Sequence, residues 1–185
     1  MISEDFKLKI EDIAPGFTLP GVDGKSYSLD SFKKAFLAII WTCNHCPFAI
    51  AYEKKLIALA KDFSNADFAA VNSNDAVNYP DDSFERMKER AAEKDFPYPY
   101  LHDEFQKAAR AYGALVTPHI FVFDKDRKLI YQGGVDDSFS SGDYRNEEPA
   151  KEHYLKDALT QISNGEEIKR KTVPVAGCSI KWKSG

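Results

Sequence analysis

Two spacings of apolar residues alternate along this chain. Phe6, Leu8 and Ile10 alternate with lysines, the period of a half-buried strand. Two more alternating segments, Phe17–Leu19 and Tyr27–Leu29, flank Asp23-Gly24, which is a hairpin signal. Phe36–Trp41 is continuously apolar, as in a strand buried on both faces. From Pro47 the period changes. Tyr52, Leu56, Leu59 and Phe63 fall on one helical face, and proline is favoured in a first helical turn because its missing N–H costs nothing there. Asp67–Val71 predicts a strand. Asp82 and Glu85 form a capping box before a helix carrying Phe84, Met87 and Ala91. Asp103 caps a short helix that Gly113 stops. His119–Phe123 and Lys128–Gln132 predict two strands around a turn. Gly133–Glu148 is polar and aperiodic, too long for an ordinary connection and therefore expected to be functional or mobile. Pro149 is expected to open a last helix through Tyr154, Ala158 and Ile162 that ends at Asn164-Gly165.

The order hairpin, β, α, β, α, α, β, β, α predicts an α/β fold: a mixed central β-sheet with helices on both faces and an N-terminal β-hairpin. At 185 residues the chain suits one domain, taken here as residues 1–165, followed by a C-terminal tail, 166–185. Aromatic residues make up 13% of the chain, too many for a segment that avoids packing. The net charge of −4, with one short basic cluster at 169–171, gives no basic face for nucleic acid. No apolar run approaches the ~20 residues of a membrane helix. The acidic start, Met1–Phe6, carries no secretory signal, so the expected location is the cytoplasm.

Of three cysteines, two form Cys43-Asn44-His45-Cys46, between a buried strand and a helix N-terminus. Orphan N–H groups and the helix dipole favour negative charge there. That predicts a depressed Cys43 pKa, with His45 adding to the effect, and Cys46 one turn further on as the resolving thiol. The pair needs no bound cofactor. A metal site is not expected, since there is one Cys-x-x-Cys arm and no paired histidines, and Pro47 after Cys46 excludes haem attachment. Cys178 reads as a small packed side chain, with a resolving or regulatory role as the alternative.

Trp41-Thr42-Cys43-Asn44-His45-Cys46-Pro47, with Thr117-Pro118 before a later strand, resembles the thioredoxin-fold superfamily. Ala14-Pro15-Gly16-Phe17 through Ser28-Leu29 resembles its redoxin branch, the alkyl hydroperoxide reductase/thiol-specific antioxidant group. The resemblance implies that Cys43 is an exposed nucleophile and Cys46 its resolving partner. It also implies that Pro118 is a cis-proline packed against the pair. Thr117 would then offer its backbone to a substrate peptide in β fashion, with one edge of Trp41 also at the site. The implied activity is thiol–disulfide oxidoreduction, with protein or small-molecule disulfides and a thiol electron donor as partners. Two alternatives are a thiol-dependent peroxidase and a non-catalytic peptide-binding module. Peroxidases of this branch carry Thr three residues before the reactive cysteine. Here Ile40 precedes Cys43 at that spacing, and Cys43 itself precedes Cys46.

Overall fold

The computed structural model describes residues 6–184; the acidic Met1–Asp5 and the final Gly185 lie outside them. A five-stranded sheet forms the centre. Its strands are β3 (Phe36–Trp41), β4 (Ala66–Asn72), β5 (Tyr100–His102), β7 (His119–Phe123) and β8 (Leu129–Gly133), in the order β5-β4-β3-β7-β8. β3 runs parallel to β4 and antiparallel to β7, so the sheet is mixed. The hairpin β1 (Thr18–Pro20) and β2 (Ser26–Ser28) precedes it.

Alternation along β3 divides two buried layers. Ala38 and Ile40 face α1 (Pro47–Asp62), α2 (Phe84–Glu93) and α4 (Tyr154–Ser163) through Leu56, Met87 and Leu155. Leu37, Ile39 and Trp41 face α3 (Lys107–Tyr112) and the N-terminal segment through Tyr112, Leu8 and Phe32. With both faces covered, no position in β3 beyond Phe36 has room for a polar side chain.

Three expectations need correction, and one strand was not anticipated. Phe6–Ile10 is not a strand. Phe6 and Leu8 are buried, but the tail takes the edge at β8, where Gln132 donates to the Lys171 carbonyl and accepts from Val173. The helix α2 is capped by Ser83, which accepts from Arg86 N–H, and not by Asp82, whose carboxylate is used elsewhere. The last helix begins at Tyr154 rather than at Pro149, because Asp137 takes the N–H groups of Lys151 and Glu152. β5 carries no sequence signal, being three residues long and preceded by Pro97 and Pro99.

The tail packs onto the fold. Ile168, Val173, Val175 and Ile180 are buried, and β9 (Cys178–Ser179) pairs antiparallel with β6 (Val116–Thr117). Among the described residues no helix is long and apolar enough to cross a membrane.

Candidate active site

The turn between β3 and α1 carries Cys43 to Cys46. Cys46 is the N-cap of α1, Pro47 its first residue. Facing them is the Thr117–Pro118 peptide bond, which is cis. Cys46 Sγ donates to the Thr117 carbonyl at 3.0 Å, and Cys43 Sγ lies 3.4 Å from Thr117 Oγ1. The structure thus brings Cys43, Cys46, Thr117 and Pro118 together.

Neither sulfur is open to solvent: Cys43 is 3% exposed and Cys46 0%. This corrects the expected exposure of Cys43. The expected polarity is also reversed. The Cys46 thiol is lowered to about 5, first by the hydrogen bond from Cys43, then by donors at Thr117, the Ala49 N–H and Cys178, which together outweigh burial and the opposing Thr117 carbonyl. Cys43 is pushed far up by that same hydrogen bond, by burial and by the charge of Asp82. Of the two thiols Cys46 is thus the one favoured to ionise, with the Ala49 N–H in the first turn of α1 among its donors.

Asp82 is the residue that sequence reading missed. It is completely buried, in a single 3-10 turn (Pro80–Asp82) before α2. Its Oδ1 accepts from Asn44 N–H at 2.7 Å and from Asn72 Nδ2 at 3.2 Å; its Oδ2 accepts from Asn74 Nδ2 at 2.8 Å and meets His45 Nδ1 at 2.5 Å. The Asp82–Glu85 spacing drew it into a helix cap. The signal available was Asn72-Ser73-Asn74, a polar run at the end of the buried strand β4. His45 pairs with this carboxylate and stacks on Tyr79, with ring centroids 5.3 Å apart. Its ring is therefore engaged by Asp82 and Tyr79 and is not free to act on the thiol alone.

Ligand atoms of Cys43, His45 and Asp82 lie within 4.8 Å of one another. Zinc takes four ligands in closed sites and three plus a water in open ones. Both Asp82 oxygens already accept two hydrogen bonds each, so a metal would have to displace part of that network.

Trp41 does not reach the site. It is fully buried in the opposite layer against Tyr112 and Phe121, with its indole N–H on Ser73. The β edge at Thr117 is taken by the chain's own Cys178, its register partner. The polar segment after Gly133 is anchored to α1, since Asp136 accepts from Tyr52 and Lys55 and Phe139 packs on Phe48 and Tyr52. His119, next to Pro118, is wholly buried, and burial lowers it to about 3.

Comparison with known proteins bears on the fold and the family. An uncharacterized conserved protein from Geobacillus kaustophilus is 40% identical, with a TM-score of 0.90 over 99% of this chain and 96% of that one. The thioredoxin domain of a thiol-disulfide oxidoreductase from Bacteroides vulgatus shares the fold at 18% identity, with a TM-score of 0.59 over 68% of this chain and 89% of that one. Among curated proteins, the thiol-disulfide oxidoreductase ResA of Bacillus cereus is 25% identical over 133 residues, 70% of this chain and 72% of that protein. The AhpC/TSA family matches residues 10–132, two thirds of the sequence, and the chain belongs to that family.

Proposed function

We propose that this chain is a thiol–disulfide oxidoreductase whose working dithiol is Cys43 and Cys46. The observation that carries the reading is the gathering of both sulfurs on Thr117 at the N-terminus of α1, with Cys46 Sγ 3.0 Å from its carbonyl oxygen and Cys43 Sγ 3.4 Å from its Oγ1. Cys46 is the thiol that ionises first, giving up the proton it donates to the Thr117 carbonyl, and the resulting thiolate can then accept the Cys43 proton. When a substrate disulfide arrives, Cys43 passes its proton to Cys46 and attacks one substrate sulfur. A mixed disulfide forms and the first substrate thiolate leaves, taking up a proton from water. Cys46 then attacks Cys43 Sγ, the Cys43–Cys46 bond closes, and the Cys46 proton goes to the second departing thiolate. Two electrons pass to the substrate. A high-pKa thiol that is deprotonated at the moment of attack is the stronger nucleophile, which suits Cys43 to the first step.

The substrates proposed are protein or small-molecule disulfides, with an external thiol as donor and the cytoplasm as location. The ResA relatives, named as thiol-disulfide oxidoreductases, support the reaction class. A peroxidase reading shares the same sulfurs and the AhpC/TSA family. The residues three before each cysteine, Ile40 and Cys43, offer no hydroxyl to hold a peroxide. Turnover with hydroxyethyl disulfide, insulin and hydrogen peroxide, each with dithiothreitol as donor, tests this. Faster reduction of a disulfide than of peroxide is expected. A clear preference for peroxide would make the chain a thiol peroxidase.

A further inference from the structure

The proposed reaction leaves one nearby thiol unused. Cys178 stands opposite Thr117 in the β6–β9 ladder. Partners in an antiparallel ladder have Cα atoms about 4.5–5.5 Å apart. Thr117 is also the residue on which Cys43 and Cys46 rest. Thr117 is thus shared by all three cysteines: Cys43 and Cys46 rest on it, Cys178 pairs with it across the ladder, and Cys178 and Cys46 are near enough for each to shift the other's ionisation. The approach is built into the tail. A Cβ at Gly177 would lie 2.5 Å from the Thr117 carbonyl oxygen, so only glycine lets the strand come this close. Beyond Cys178, Ile180 is buried, and Lys181 is held by Asn74 through its N–H and by Asp75 and Gln106 through its carbonyl. Of the three thiols, Cys178 alone is partly exposed.

We propose that Cys178 is a third redox thiol that carries the disulfide from the buried pair toward the surface; this rests on the dithiol reading above. After a substrate has been reduced, the disulfide joins Cys43 and Cys46. Cys178 attacks Cys46 Sγ, a Cys46–Cys178 bond forms, the Cys43–Cys46 bond breaks, and the Cys178 proton ends on Cys43. No electrons enter or leave. The relocated bond includes a partly exposed sulfur that an external thiol donor can attack, and Cys43 is again a free thiol. Forming the first disulfide also favours the exchange. The Cys178 thiol is held protonated by burial, then by its hydrogen bond to Cys46 and the Cys46 charge; closing the first bond removes that charge, while Lys181 continues to favour the thiolate. The tail fills the edge where a peptide would pair, so Cys178 stands in the place of a substrate cysteine.

The full-length Cys43→Ser and Cys178→Ser variants and the wild type, each oxidised with one equivalent of diamide and mapped by mass spectrometry, test this. Cys43→Ser is expected to give Cys46–Cys178 as its main product, and the wild type a mixture of Cys43–Cys46 and Cys46–Cys178. Cys178→Ser is expected to close Cys43–Cys46 but to turn over about ten-fold more slowly with a dithiol donor. Free Cys46 and Cys178 in Cys43→Ser, with Cys43–Cys46 the sole wild-type bond, would overturn the relay and leave the dithiol reading standing. Failure of Cys178→Ser to form any Cys43–Cys46 bond would remove the dithiol reading, and the relay with it.

Discussion

His45 Nδ1 lies 2.5 Å from an oxygen of Asp82, a carboxylate with no solvent exposure. A buried charge is tolerable only when paired and hydrogen-bonded, and this one has His45, two asparagine amides and a backbone N–H. It ties the loop before α2 to the dithiol turn and places negative charge beside Cys43.

Asp82→Asn should therefore do two things. Losing the carboxylate disrupts the pair with His45 and should lower stability by about 3 kcal/mol, read from urea denaturation. Removing the charge should also make Cys43 easier to ionise, so its alkylation at pH 8 should accelerate. An unchanged urea midpoint together with unchanged alkylation would show that Asp82 neither holds the turn nor acts on Cys43.

The Cys46 thiol has its own pH signature. An unfolded cysteine titrates near ~8.5, and folding lowers Cys46 to about 5. The unfolded chain binds this proton more tightly, so stability from this group is complete above ~8.5, shrinks as the pH falls, and is gone below about 5. The urea midpoint should rise from pH 5 to pH 8, and Cys46→Ser should remove most of that rise. Equal slopes in the two proteins would place the first charge on another group.

Cys46→Ser should trap substrates at Cys43 as mixed disulfides, because the resolving sulfur is gone. The trap should form slowly at pH 7 and recover at higher pH, since Cys46 also accepts the Cys43 proton. Cys43→Ser should form no mixed disulfide through position 43. Rapid trapping at pH 7 that does not change with pH would show that Cys43 needs no help from Cys46.

Gly177→Ala should displace the tail from Thr117, because the added Cβ meets a backbone oxygen at 2.5 Å. Overpacking of this kind costs about 1–3 kcal/mol. Cys178 should become more reactive to iodoacetamide as it leaves Cys46. Unchanged reactivity would mean that the tail's approach does not depend on this glycine.

Much of the architecture was legible because it depends on period. The apolar run Phe36–Trp41, the helical spacing from Tyr52 to Phe63 and the turn at Asp23-Gly24 all lie where their patterns put them. The pair Cys43–Cys46 and the Thr117–Pro118 bond were legible because a motif and a dipeptide carry them. Asp82 was not, since a buried acid looks like a helix cap until the loop that holds it is seen. The position of Cys178 was not legible either. It depends on a two-strand pairing between segments about sixty residues apart, which no local pattern encodes. Phe6–Ile10 shows the converse: its pattern matched its burial, but no free strand was left for its backbone to pair with.

The most direct test is a redox titration of the pair itself. Full-length Cys178→Ser protein, in which no third sulfur can take over the bond, is equilibrated in thiol–disulfide buffers of graded potential, quenched with acid, and its free thiols mapped by mass. The account predicts a two-electron transition in which Cys43 and Cys46 disappear together, with a midpoint in the range of about −120 to −270 mV spanned by thioredoxin-like dithiols. If Cys43 stays free across that range while the protein remains folded, the two sulfurs are not a working dithiol and the central claim fails.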